Sequence, residues 1–132
     1  MKKYKDVHCI DLPKIKDDRG NLTFLQEQTH LPFKVERAFW TYDVPGGQIR
    51  GGHAFEKQEE VIIALSGSFD VIITQKNGKQ DLYHLNRSYK ALYIPPNTWR
   101  HIENYSTNAV SLHLSSHKFS AEDYIRNKED LL

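Results

Sequence analysis

The stretch "GQIRGGHAFEKQEEVIIALSG", residues 47–67, decides the fold. Gly47 stands six residues before His53, Phe55 two after it, Glu60 five after Phe55, and Gly67 seven after Glu60. Successive side chains of a strand point to opposite faces, so an inward His53 carries Phe55 inward and turns Ala54 away. Gly51 and Gly52 beside the histidine predict a bulge or bend, or a close approach by a ligand or another backbone. The apolar run ending at Leu65 is broken by Ser66-Gly67-Ser68, and a second run, "FDVIIT" (69–74), follows. Two short strands joined by a turn fit this pattern.

The same rhythm extends outward in both directions. "NLTFLQE" (21–27) alternates, "VERAFWTYDV" (35–44) is rich in aromatic and β-branched residues and ends at Pro45-Gly46-Gly47, and "AVSLHLSS" (109–116) closes the series. "KNGK" (76–79) predicts a hairpin with positive φ at both Asn77 and Gly78, returning through "DLYHLN" (81–86). Pro95 and Pro96 inside "KALYIPPNTWRHIENYS" (90–106) require a bend or an edge. Many short strands at close spacing predict an all-β sandwich or barrel. Only the end differs: "FSAEDYIRNKEDLL" (119–132) reads as one short helix, with Ser120 as N-cap and Asp123 completing a capping box.

Bulk properties narrow the function. At 132 residues the chain is expected to be one domain, 1–132, able to bury a core without disulfides. A formal net charge of +1 gives no reason to expect nucleic-acid or membrane binding, so an anionic ligand must be held by a few placed cations. Cys9 is the only cysteine, which fits a cytoplasmic location. The basic start "MKKYKDVHCIDLPK" lacks the apolar run of a signal peptide.

The spacing in residues 47–67 resembles the first motif of the cupin superfamily, and Pro95, Asn97, Arg100 and Asn104 fall at the spacing of the second. That resemblance implies a cupin-type, jelly-roll-like β-barrel. The four positions that ligate metal in cupins here read His53, Phe55, Glu60 and Arg100. Phenylalanine has no ligand atom and arginine stays protonated, so no metal and no cofactor are expected, with guanidinium charge in place of an ion. Alternation turns His101 outward and puts Ser111 and His113 on one face of their strand. Apolar Val110, Leu112 and Leu114 on the other face leave it open which of the two is inside.

A closer resemblance covers nearly the whole chain. "FWTYDVPGGQIRGGHA", "ALSGSFDVIIT", "LYIPPNTWR" and the tail "FSAEDYIRNKEDLL" are similar to the sugar 3,4-ketoisomerases acting on thymidine-diphosphate (TDP) 4-keto-6-deoxyglucose, and "KIKDDRGNLTFLQE" resembles their N-terminal strands. The resemblance implies a homodimeric, metal-free barrel that binds a TDP-linked 4-keto-6-deoxyhexose and moves its carbonyl from C4 to C3. Such a step precedes an aminotransferase in making 3-amino-3,6-dideoxyhexoses for bacterial surface glycans (O-antigen or S-layer) or antibiotics. It implies His53 as the base and Arg100 as the charge facing the oxyanion, with Tyr93 completing the catalytic set. The substrate contacts it implies are Arg19, Arg37, Trp40, Tyr42, Arg50, Phe55 and Glu60, the last also orienting His53. Two departures matter: family members usually carry a second histidine where this chain has Phe55, and Arg19 with Arg100 mixes features of two family branches whose products differ in C4 stereochemistry, which leaves galacto or gluco open. A non-catalytic sugar-nucleotide-binding cupin and an epimerase on the same sugars are the alternatives.

Overall fold

Short strands with one apolar and one mixed face are stable only when stacked in layers. A computed structural model describes residues 6–132 and shows this arrangement. Twelve strands form: β1 His8–Asp11, β2 Lys14–Asp17, β3 Gly20–Thr23, β4 Arg37–Thr41, β5 Arg50–Phe55, β6 Glu60–Ser66, β7 Phe69–Thr74, β8 Gln80–Leu85, β9 Lys90–Ile94, β10 Trp99–Glu103, β11 Val110–Ser115 and β12 Tyr124–Ile125. One five-stranded sheet runs in the order β1-β9-β6-β11-β4, the other β12-β5-β10-β7-β8, and β2-β3 is a separate hairpin. Every strand pairing within these sheets is antiparallel. The all-β, cupin-like architecture expected from the sequence is present. No helix among the described residues is long and apolar enough to cross a membrane.

The inner faces of the two sheets enclose Ile62, Phe69, Val71, Ile73, Leu85, Leu92, Ile94 and Ile102. Each such side chain contributes roughly 1.5–3 kcal/mol by leaving water. The first sheet is also covered on its outer face. Val61, Ile63, Ala91, Tyr93 and Leu114 pack there against Leu12, Leu31 and Phe33 of the N-terminal third. Burial on both faces explains why β6 is apolar without alternation.

Turns follow residue chemistry at a few decisive points. Gly67 has φ +64°, and a Cβ there would lie 2.4 Å from Ser106 Oγ and 2.9 Å from Ala109 Cα, so only glycine fits between β6 and β7. Asn97, at the position of the glycine in the second cupin motif, has φ +58°. Asparagine is one of the few side-chain-bearing residues that visit this region readily. Pro95-Pro96 lies where the chain leaves β9 in one sheet and enters β10 in the other, which is the required bend. The β7–β8 hairpin forms, but over residues 75–79 and with positive φ at Gly78 alone. There the Asn77 side chain accepts a hydrogen bond from the Lys79 amide at 2.9 Å, stabilising the wider turn.

The C-terminal helix is the main correction. In place of one helix, Ala121–Asp123 and Lys128–Asp130 are single 3-10 turns flanking β12. Ser120 stands at the N-cap position but makes no side-chain cap. Asp123 turns away from any capping box and accepts hydrogen bonds from the amides of Lys57 (2.8 Å) and Gln58 (3.1 Å). A helix this short is marginal by itself. Pairing Tyr124 with Phe55 and Ile125 with Ala54 instead satisfies the otherwise open edge of β5.

Candidate active site

The two sheets do not close equally along their length. At one end apolar side chains fill the space; at the other a cavity of about 280 Å³ remains, with Ile62 and Ile102 at its boundary with the core. His53, Glu60, Arg100, His113, Arg50, Arg126, Thr41, Tyr105, Phe39, Phe119 and Tyr124 complete its wall. A larger recess of about 560 Å³ runs past Lys57, His117 and Asp123. The buried acid–base groups converge on the smaller cavity, which makes it the candidate chemical site.

Backbone geometry places the β5 residues. His53 pairs with Arg100 and Arg50 with Ile102, so β5 uses one more residue than β10 over this span. Gly51, at φ +73°, absorbs that bulge. The extra residue lets Arg50 and His53 reach the same cavity despite their odd spacing.

His53 sits among rings: Phe55 edge-on at 4.7 Å and Tyr124 at 5.1 Å between centroids. Its Nε2 is buried without a hydrogen-bond partner among the described residues. Burial first, then the Arg100 charge, pulls the imidazole down to about 4, with Glu60 opposing. His53 is therefore neutral at ordinary pH and able to accept a proton.

Arg100 is 1 % exposed and its Nη1 donates to Glu60 Oε1 at 2.8 Å. Its Nε donates to the Thr98 carbonyl at 3.1 Å, while Nη2 is buried with no partner among the described residues. The guanidinium also lies 5.1 Å from the centre of the Phe55 ring. Burial would raise the Glu60 carboxyl, but the His113 imidazole and the Arg100 guanidinium outweigh it and hold it down at about 2. Glu60 Oε2 meets His113 Nδ1 at 3.2 Å. Glu60 thus clamps Arg100 and His113, and the expected orienting hydrogen bond between His53 and Glu60 is not made.

The donor set does not suit a metal. Arg100 fills one ligand position of the cupin pattern and is paired with Glu60, and the fully buried Phe55 fills another. Among the described residues no group of three or more His, Cys, Asp or Glu side chains converges as a ligand set.

The structure brings only some of the expected residues together. His53, Arg100, Arg50 and Glu60 line the cavity. Phe55 is fully buried behind His53, packed against Tyr124. Arg37 lies beside the cavity, its guanidinium over Phe39 and Phe119 and one Nη donating to Gln58 at 3.2 Å. Tyr93 is not in the cavity: it faces the outer layer, and its hydroxyl donates to Glu59 at 2.6 Å. Trp40 and Tyr42 are also outside it, 58 % and 63 % exposed, because alternation from inward Phe39 and Thr41 turns them out. Arg19 is at the β2–β3 hairpin, exposed and paired with Asp17 at 3.1 Å, and does not line the cavity of its own chain.

Sequence reasoning missed Thr41, Tyr105, Phe119, Tyr124 and Arg126, and left His113 unassigned. Parity from Arg37 would have found Phe39 and Thr41. The three tail residues became visible only once the tail was known to run as a strand along β5. His113 pairs with Ile62 across β11–β6, which turns both inward, and it stacks on Phe39 at 4.5 Å.

Comparison with known proteins agrees with this geometry. Residues 5–132 match the family model described as FdtA: WxcM-like, C-terminal. The TDP-4-oxo-6-deoxy-alpha-D-glucose-3,4-oxoisomerase of Aneurinibacillus thermoaerophilus is 33% identical over 121 residues, covering 92% of this chain and 86% of that protein. The WlaRB TDP-quinovose 3,4-ketoisomerase of Campylobacter jejuni superposes with a TM-score of 0.90 at 35% identity, covering 98% of each chain. QdtA, a sugar 3,4-ketoisomerase from Thermoanaerobacterium thermosaccharolyticum solved with TDP, gives 0.91 at 30% identity, over 95% of this chain and 90% of that one. On that match over residues 5–132, the chain belongs to the WxcM-like FdtA family, among relatives that are sugar 3,4-ketoisomerases.

Proposed function

We propose that this protein is a sugar-nucleotide 3,4-ketoisomerase that converts TDP-4-keto-6-deoxyglucose into a TDP-3-keto-6-deoxyhexose. The observation that carries this reading is one pair of atoms. His53 Nε2 and Arg100 Nη2, both buried and both without a partner among the described residues, belong to the wall of a single cavity. A neutral imidazole is a base, and an unpaired guanidinium N–H is a preorganised donor for a developing oxyanion.

The chemistry follows. The hydrogen on C3 is acidic because C4 is a ketone. His53 removes it, the negative charge passes to O4, and Arg100 stabilises the resulting enediolate. Return of the proton to C4 leaves the carbonyl at C3. Glu60 keeps Arg100 in place and compensates its charge during the resting state. Arg50 and Arg126 at the cavity and Arg37 beside it supply the cations a diphosphate needs.

The enzyme works as a homodimer in this reading. β4 is a sheet edge with Trp40 exposed on it and Tyr42 exposed just beyond, a face suited to a second copy. Sedimentation velocity tests the assembly. Exposed Cys9, free of any disulfide, suits the reducing cytoplasm.

The test of function is incubation with TDP-4-keto-6-deoxyglucose in deuterated water, followed by NMR at C3 and C4. Formation of the 3-keto sugar is expected. Binding with no deuterium at either carbon and no product would overturn the reading in favour of a non-catalytic binder, and exchange confined to C5 or to C3 with inversion would favour an epimerase.

A further inference from the structure

Isomerisation moves two protons, and His53 accounts for one. Taking the C3 proton shifts the C3–H electron pair into the C3–C4 bond and the C4 carbonyl pair onto O4. To finish, C4 regains a proton, O4 gains one, and O3 loses one while the pair from its O–H bond forms the new carbonyl. No external oxidant or reductant is involved. The transfer from O3 to O4 needs a group that takes one proton and gives another. Family members usually carry a second histidine at the position of Phe55, and Phe55 is buried and carries no proton.

We propose that His113 is this chain's second proton-carrying group, reaching the substrate oxygens through Ser111 and Thr41. The proposal rests on the ketoisomerase reading above. Thr41 and His113 both line the cavity, and Ser111 is fully buried between them. Thr41 Oγ1 and Ser111 Oγ are hydrogen-bonded across the β4–β11 pair, and Ser111 Oγ lies 2.9 Å from His113 Nε2. His113 Nδ1 meets Glu60 Oε2 at 3.2 Å. An ionised carboxylate only accepts, so Nδ1 carries a hydrogen, and with the ring neutral Nε2 accepts from Ser111. Ser111 in turn accepts from Thr41. The hydroxyl of Thr41 is then free to take a proton from O3 as its own passes inward to His113, and the reverse movement delivers one to O4. The Tyr105 hydroxyl also lies beside Thr41 in the cavity wall. Stacking on Phe39, with only 7° between ring planes, holds the imidazole in orientation.

The experiment compares two rates on TDP-4-keto-6-deoxyglucose in deuterated water: deuterium entering C3 of recovered substrate, and formation of the 3-keto product. In His113→Asn, product formation should fall by about 10²-fold or more, the usual contribution of a positioned acid–base group. Exchange at C3, which needs His53 alone, should fall far less, so the ratio of exchange to isomerisation rises. A parallel fall in both rates, or no fall in product formation, would overturn the proposal. Should H113N fail to fold, Ser111→Ala is read by the same ratio with the same two outcomes, since it leaves the Glu60 contacts in place. Wild-type protein that neither exchanges nor isomerises this sugar would defeat the ketoisomerase reading itself; wild-type turnover with an unchanged ratio in the variants would defeat only the role of His113.

Discussion

Replacing Arg100 with methionine tests whether the cavity is held by one buried ion pair. Arg100 and Glu60 are 1 % and 2 % exposed and meet at 2.8 Å, so water screens them poorly. Removing one partner of such a pair strands the other charge and costs about 3–5 kcal/mol. Glu60 keeps His113 at 3.2 Å, which places the expected loss at the low end, about 3 kcal/mol. For a chain of 132 residues that is a fall in Tm of roughly 10–15 °C, read by circular dichroism. Isomerisation should fall by about 10²–10³-fold as the donor to the oxyanion disappears. The double variant Arg100→Met with Glu60→Leu separates charge from packing. With no stranded carboxylate, it should regain most of the lost Tm while remaining inactive. A single variant within about 1 kcal/mol of wild type, or a double variant no more stable than the single, would refute the account, because in either case Glu60 would not be a buried anion needing a cation.

Four further outcomes follow from the same geometry. His53→Asn should abolish isomerisation while TDP still binds by calorimetry; an active variant would remove His53 as the base. Because the His53 imidazole is depressed to about 4 from 6.5, kcat/KM should stay level below pH 6.5 and decline only as pH approaches about 4, unless an acid limb near 6.5 shows that His53 titrates normally. The sign for stability is the same: the unfolded chain binds this proton first, so stability is full above pH 6.5 and falls by up to roughly 3 kcal/mol as pH drops toward 4. Urea midpoints across that window, compared with those of His53→Asn, isolate the contribution. Gly67→Ala should destabilise by about 2–4 kcal/mol, combining a left-handed backbone with a Cβ driven against Ser106 and Ala109; an unchanged urea midpoint would mean that turn is free to move.

How far the site could be read before folding depends on what kind of information each residue carries. His53, Glu60 and Arg100 were legible because motif spacing and strand parity are properties of the chain alone. Trp40 and Tyr42, which the resemblance implies as contacts, stay outside the cavity because Phe39 and Thr41 have the inward parity of Arg37. Tyr93 fell on the wrong side because β9 is buried on both faces, and alternation without polarity contrast does not say which face is inner.

The amino-acid sequence by itself determined the all-β architecture, the turn at Gly67, and the presence of arginine and phenylalanine at two positions that ligate metal in cupins. Local chemistry suffices for each of these: φ preference, side-chain period, and the donor atoms a residue possesses. Tertiary structure alone decided the rest. It made the tail a strand, because the open edge of β5 and the Lys57 and Gln58 amides bind Asp123 and Tyr124 better than a short helix could bind itself. It turned His113 inward, because the N-terminal layer covers the other face of β11 and leaves Leu114 buried there. Both outcomes depend on which surfaces meet across distant parts of the chain, and no local pattern encodes that.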